Sequence, residues 1–230
     1  MVKKSQQTNR NHAKSLPELK PLSAKTDNQS EILKQFKAGK NLVIHGLAGT
    51  GKTFIACSMA LNEVFKGRAD RMVIYRSAVP TRDMGFMPGT RAEKEAPYED
   101  PYRSVFSELF ERGDAFDLMK KSGLVDFSTT SYLRGLTIKN TVVIVDECQN
   151  MSFHELDSLI TRLGTGSRII FCGDYTQSDL TKHIDKEGLH AFLKILRSMS
   201  EFAFVEMRVD DIIRSDIVKS YIISKSLAGY

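Results

Sequence analysis

The sequence predicts an α/β fold in which a parallel sheet is covered by helices on both faces. Three observations predict it. From Thr26 to the C-terminus, short β-branched runs alternate with segments of helical period. A glycine-rich turn from Gly46 to Thr53 joins one such strand to one such helix. The informative polar residues (Arg76, Thr130, Asp146, Glu147 and Gln177) each lie just past a strand, where open parallel sheets bind ligands.

Order is expected to begin at Thr26, whose hydroxyl has capping-box spacing with Gln29. The helix that follows places Ile32, Leu33 and Phe36 on one face and stops near Gly39. Asn41 to His45 is a buried strand, and the run after Thr53 is a helix ending near Gly67. Arg71 to Tyr75 is a second strand. Residues 76–103 carry Pro80, Pro88, Pro97 and Pro101 and are expected to form a long functional loop. Val105–Phe110 and Ala115–Met119 read as helices, and Val125–Phe127 as a short strand. Thr141 to Val145, the most β-branched run, ends in Asp146-Glu147. Ser152 and Glu155 form a capping box at the start of a helix reaching about Leu163. Arg168–Cys172 is a further strand. A helix near Leu189–Leu196, a weak strand at Phe202–Val205 and a helix from Asp211 complete the chain.

At 230 residues, 41% hydrophobic and 27% charged, the chain is expected to form one domain over 25–230. Residues 1–24 are polar, lack an apolar period and are expected to be a disordered basic arm. No apolar run approaches ~20 residues and no apolar leader opens the chain, so neither a membrane span nor a secretory signal is expected. Cys57, Cys148 and Cys172 lie far apart, match no disulfide or zinc pattern, and fit a reducing cytoplasm. The net charge is +5, and residues 1–28 hold six cations against two acids. Such an arm suits phosphate contact with nucleic acid, although a solubilising tail has the same composition.

The turn Gly46-Leu-Ala-Gly-Thr-Gly-Lys-Thr53 carries the clearest chemistry. Gly46, Gly49 and Gly51 free the backbone to wrap amides around a phosphate chain, with Ala48 and Thr50 between them. Lys52 can reach the β- and γ-phosphates of ATP, and the Thr53 hydroxyl can hold Mg²⁺. The following helix adds its unpaired N-terminal amides and dipole. Asp146 is placed as the second carboxylate on the Mg²⁺ side, and Glu147 as the base that polarises the attacking water. Gln177 can bond the γ-phosphate or that water. Gln29 can pair with an adenine edge through its amide.

Together these residues resemble the PhoH-like family of P-loop ATPases, relatives of the superfamily 1 helicases. The likeness runs from about Thr26 to Val218. Beyond the P-loop it rests on Arg76-Ser-Ala-Val79, Gly85-Phe-Met-Pro-Gly89 with Glu93-Lys94 and Pro97-Tyr98, Tyr132-Leu-Arg-Gly135, Asp146-Glu-Cys-Gln-Asn150, Thr161-Arg-Leu-Gly164, Gly173-Asp-Tyr-Thr-Gln-Ser-Asp179 and Asp211-Ile-Ile-Arg214. Leu47 and Ser77 stand where the family commonly has proline, and Cys148 where alanine is usual. The resemblance implies a RecA-like ATPase that acts on RNA or single-stranded DNA. Arg76, Thr81, Thr130 and Arg134 would then face the nucleic acid. It further implies that Arg214 is an arginine finger. A single core being unable to bring its own distal arginine to the γ-phosphate, Arg214 would serve a neighbouring subunit of a homo-oligomer, a hexameric ring being one form.

An ATP-dependent switch with a protein partner and no nucleic-acid track is the main alternative. A small-molecule kinase is disfavoured because Glu147 and Gln177 suit water activation.

Overall fold

The computed structural model describes residues 18–77, 91–130, 137–175 and 183–228. Among the described residues six strands form one parallel sheet: β1 (Asn41–Gly46), β2 (Arg71–Arg76), β3 (Val125–Thr129), β4 (Thr141–Asp146), β5 (Arg168–Gly173) and β6 (Phe202–Met207). Their spatial order is β3-β2-β4-β5-β1-β6. The strand bearing the glycine loop, β1, is therefore separated from the strand bearing the acidic pair, β4, by β5. Chain order reverses around β1, which lies between β5 and β6. In open parallel sheets such a point, beyond the carboxyl ends of the strands, is where ligands bind.

The sheet is buried on both sides because its strands are apolar at successive positions. Leu42, Ile44, Met72, Ile74, Val142, Ile144 and Ile170 face one core. Val43, Val73, Val143, Val145, Ile169 and Phe171 face the other, following the two-residue period of a strand. The first core is covered by α1 (Asp27–Lys37), α2 (Lys52–Phe65), α3 (Arg91–Phe110) and α4 (Ala115–Lys121). The second is covered by α5 (Phe153–Ile160) and α6 (His183–Arg197). The last helix, α7, spans Asp216–Leu227.

Three expectations need correction. The expected loop 76–103 is helical from Arg91 onward, and α3 runs through both Pro97 and Pro101. Proline removes an internal helix bond, but both prolines lie on the exposed face, four residues apart, where water can reach the freed carbonyls. Packing on the opposite face outweighs the loss: Glu95, Glu99, Tyr102, Phe106 and Leu109 are all buried. The second correction concerns the arm. Leu19 and Leu22 pack against the first core, and the Lys20 amide donates to the Leu109 carbonyl at 3.0 Å, so residues 18–24 belong to the body. Third, the final helix starts at Asp216 rather than Asp211, because Val209–Asp211 forms a 3₁₀ turn.

Candidate active site

The P-loop takes its shape from its glycines. At Gly46 the backbone has φ +117°, and a Cβ there would sit 2.0 Å from the Met207 carbonyl oxygen. Only glycine lets β1 end against β6 in this way. Gly51 caps α2 in the left-handed conformation without a side-chain acceptor, leaving the first amides of that helix for a ligand. Thr50 is fully buried and its hydroxyl bonds the Leu47 carbonyl at 2.9 Å, bracing the turn. Ala48 lies on the exposed rim.

Lys52 reaches back across the loop. Its Nζ donates to the carbonyls of Gly46 at 2.6 Å and Leu47 at 2.8 Å. Burial pulls its ammonium below the ordinary lysine range, and nearby Asp174 is the largest opposing influence. Such a partly desolvated cation is primed to exchange loop carbonyls for phosphate oxygens.

Asp146 is buried at the end of β4 and accepts two hydrogen bonds, one on each oxygen. Thr53 Oγ1 donates to Oδ1 at 2.8 Å, and Tyr102 Oη donates to Oδ2 at 2.8 Å. Burial raises its affinity for a proton, Glu147 adds to that, and the Tyr102 and Thr53 hydroxyls with Arg76 oppose it. Arg76, half-buried, is the register partner of Asp146 on β2. A hydroxyl and a hard carboxylate beside a glycine cradle suit Mg²⁺, whose remaining ligands would be phosphate oxygens and water.

Glu147 has φ +52°, a left-handed conformation that turns the chain sharply after β4. Its Oε2 accepts from Gln149 Nε2 at 2.5 Å, while Gln149 Oε1 accepts from the Asp174 amide at 3.1 Å. One amide thus ties the turn after β4 to the end of β5. Space for it depends on Gly173, where a Cβ would lie 2.7 Å from both Cys148 Sγ and Gln149 Oε1.

Other expected site residues are placed differently. Gln29 does not present its amide to a base: Oε1 accepts from the Lys25 amide at 2.8 Å, and Nε2 points to the Thr50 carbonyl at 3.5 Å. It braces the P-loop from behind. Thr130 is buried, its hydroxyl donating to Glu155, which also accepts from Ser77 at 3.5 Å and from the Ser152 amide at 2.8 Å. Glu155 therefore pins the ends of β2 and β3 to α5, and the Thr130 hydroxyl is turned inward. Thr81, Arg134 and Gln177 lie outside the described residues.

For Arg214, expected to serve a neighbouring subunit, the structure gives its place within its own chain. The Ile213 amide donates to the Gly49 carbonyl at 3.3 Å, and a Cβ on Gly49 would be 3.3 Å from Arg214 Cγ. The arginine lies over the P-loop of its own chain. Asp211 holds it there indirectly, accepting from the Thr26 hydroxyl, from Asn28 Nδ2 at 2.7 Å and from the Arg208 amide at 2.7 Å.

The sequence assigns Tyr102, Gln149 and Glu155 no role around Asp146 and Glu147, although Tyr102 is among the aromatics of the expected functional loop and Gln149 lies within the Asp146–Asn150 motif. Reading helix through the prolines would have found Tyr102, since 95, 99, 102, 106 and 109 recur on one helical face.

A lysine-bearing glycine loop and a strand-end aspartate bonded to the loop's threonine, on a sheet of this order, define a P-loop protein of RecA-like α/β fold. A family model described as PhoH-like protein matches residues 21–224, and the chain belongs to that family. It is 35% identical over 197 residues to a PhoH-like protein of Synechocystis sp., covering 85% of this chain and 60% of that protein. Protein PhoH of Escherichia coli is 32% identical over 200 residues, covering 85% of this chain and 55% of its own length. The chain thus spans about 60% of the length of the curated relatives it matches. Among solved structures, the Pyrococcus furiosus Hef helicase domain overlaps 80% of this chain and 39% of its own at TM-score 0.47 and 13% identity. Pif1 helicase from Candida albicans overlaps 81% and 40% at TM-score 0.41 and 18% identity. Among the described residues, no helix is long and apolar enough to cross a membrane.

Proposed function

We propose that the chain hydrolyses ATP and uses the cycle to move along or remodel RNA or single-stranded DNA. The observation that carries the hydrolytic part is the Thr53–Asp146 hydrogen bond beside a Glu147 carboxylate held by Gln149.

In this reading the α2 amides and Lys52 hold the β- and γ-phosphates, the lysine giving up the Gly46 and Leu47 carbonyls. Mg²⁺, when bound, neutralises phosphate charge, with Thr53 and Asp146 as its protein partners. Glu147 orients a water and takes its proton as the new P–O bond forms and ADP leaves. Arg214, over the same P-loop, adds fixed positive charge near the γ-phosphoryl oxygens. The four cations within residues 1–17 support the nucleic-acid part, as does Arg76 at the mouth of β2.

A protein-partner switch keeps support from one observation: Ile217, Tyr221 and Leu227 on α7 are 79%, 68% and 85% exposed. ATPase rate with and without single-stranded RNA or DNA separates the two readings. Stimulation of several-fold supports the first, and a rate indifferent to every nucleic acid tested defeats it. Loss of triphosphate binding in Lys52→Ala tests the site itself.

A further inference from the structure

We propose that Tyr102 is a positioning residue for the metal carboxylate, acting through Asp146; this rests on the reading of Asp146 as a Mg²⁺-side group. Tyr102 has no exposed surface, and its hydroxyl donates to Asp146 Oδ2 at 2.8 Å. Thr53 occupies the other oxygen. A carboxylate bonded on one oxygen alone can swing about its χ2; bonded on both, it has one orientation. A cation held by Thr53 and Asp146 would draw on the Thr53 side, and the Tyr102 bond to Oδ2 would then remain to orient the carboxylate. It fixes Oδ2 and so leaves Oδ1 aimed at the loop.

The tyrosine is itself held from three directions. Its ring packs on Phe127 of β3 at 5.5 Å between centroids. Two turns back on α3, Glu95 accepts from the Thr129 amide at 3.0 Å, fastening the helix to the end of β3. Glu99 is buried and paired with Arg103 at 3.2 Å and with Lys120 of α4. The helix that carries the hydroxyl is thus rigidly docked beside the sheet. Hydrogen-bond partners of metal ligands orient them, and removing one typically costs about 10–100-fold in metal affinity or activity.

The test is Tyr102→Phe in the full chain, with ATP affinity measured by calorimetry in Mg²⁺ and again in EDTA. The expected result is a loss of about 10-fold in the Mg²⁺ measurement, little change in EDTA, and a matching rise in the Mg²⁺ needed for half-maximal turnover. Phe127→Leu disturbs the same ring packing without touching the hydroxyl, and should lower thermal stability without separating the two affinities. Equal loss in Mg²⁺ and EDTA for Tyr102→Phe, or the same separation in Phe127→Leu, would overturn the positioning role. So would a Tyr102→Phe protein indistinguishable from wild type. A wild-type protein whose ATP affinity ignores Mg²⁺ would instead defeat the underlying reading of Asp146.

Discussion

Arg214 lies across Gly49 of its own P-loop, its Cγ 3.3 Å from where a Gly49 side chain would begin. Ile222 of α7 approaches the same point at 3.1 Å. The segment after β6 therefore folds back over the phosphate site within one chain, and Asp211 latches it to the start of α1.

This predicts an arginine acting in cis. Arg214→Ala should lower turnover by about 10³-fold if the guanidinium meets the γ-phosphoryl group in the transition state. Mixing Arg214→Ala with Lys52→Ala subunits should restore nothing, since each intact arginine serves an inactive loop. Recovery of ATPase activity in the mixture would return the arginine to a neighbouring subunit.

Glu147 and Gln149 should behave as a unit. Glu147→Gln is expected to keep ATP bound and stop turnover, because the carboxylate acts on the water rather than on ground-state phosphate. Gln149→Leu frees that carboxylate and should cost about 10-fold or more in kcat with KM little changed. In a Glu147→Gln background the second change should add almost nothing, which single-turnover rates can resolve. Full additivity of the two would separate their roles.

Much of this was legible in the sequence because the signals were local. The glycines, Lys52 and Thr53 are contiguous, and β-branched runs mark β1 and β4 without outside help. The capping box of Ser152 and Glu155 forms as its spacing predicts. What was hidden depends on contacts far apart in the chain. Glu95 and Glu99 look like surface charges, yet the Thr129 amide, Arg103 and Lys120 make them tolerable in a buried face. With those two positions read as polar, the helical period of α3 disappears and its prolines dominate. The place of Arg214 is hidden for the same reason: nothing local shows that Thr26 and Asn28, more than 180 residues earlier, hold Asp211.

The arm should divide at residue 17. Deleting 1–17 removes four cations and none of the described core. It should leave the thermal midpoint unchanged while flattening the salt dependence of single-strand binding, by up to about 3 in the logarithmic slope. Deleting through residue 24 also strips Leu19 and Leu22 from the core and should lower the midpoint. An unchanged salt slope after the shorter deletion makes the arm a solubility tail.

His45 should give the fold an acid-sensitive point at the mouth of the sheet. It lies next to the end of β1, opposite Gly173, and its ring stacks on Tyr175 at 5.0 Å and 21°. Burial lowers its pKa below the ordinary value; Arg197 and Lys52 push the same way, and Glu206 and Asp174 oppose them. The unfolded chain therefore binds a proton at about pH 6.5 that the folded chain still refuses. By linkage, the stabilising contribution is fully present above that pH and is lost as pH falls toward the lowered folded value. Replacing His45 with phenylalanine keeps an aromatic ring against Tyr175 and removes the titration. Urea midpoints of the two proteins should differ little in their spacing between pH 8 and 7. Between pH 7 and 5.5 the wild type should lose more stability than His45→Phe. Parallel loss in both proteins over that range would place the acid sensitivity elsewhere.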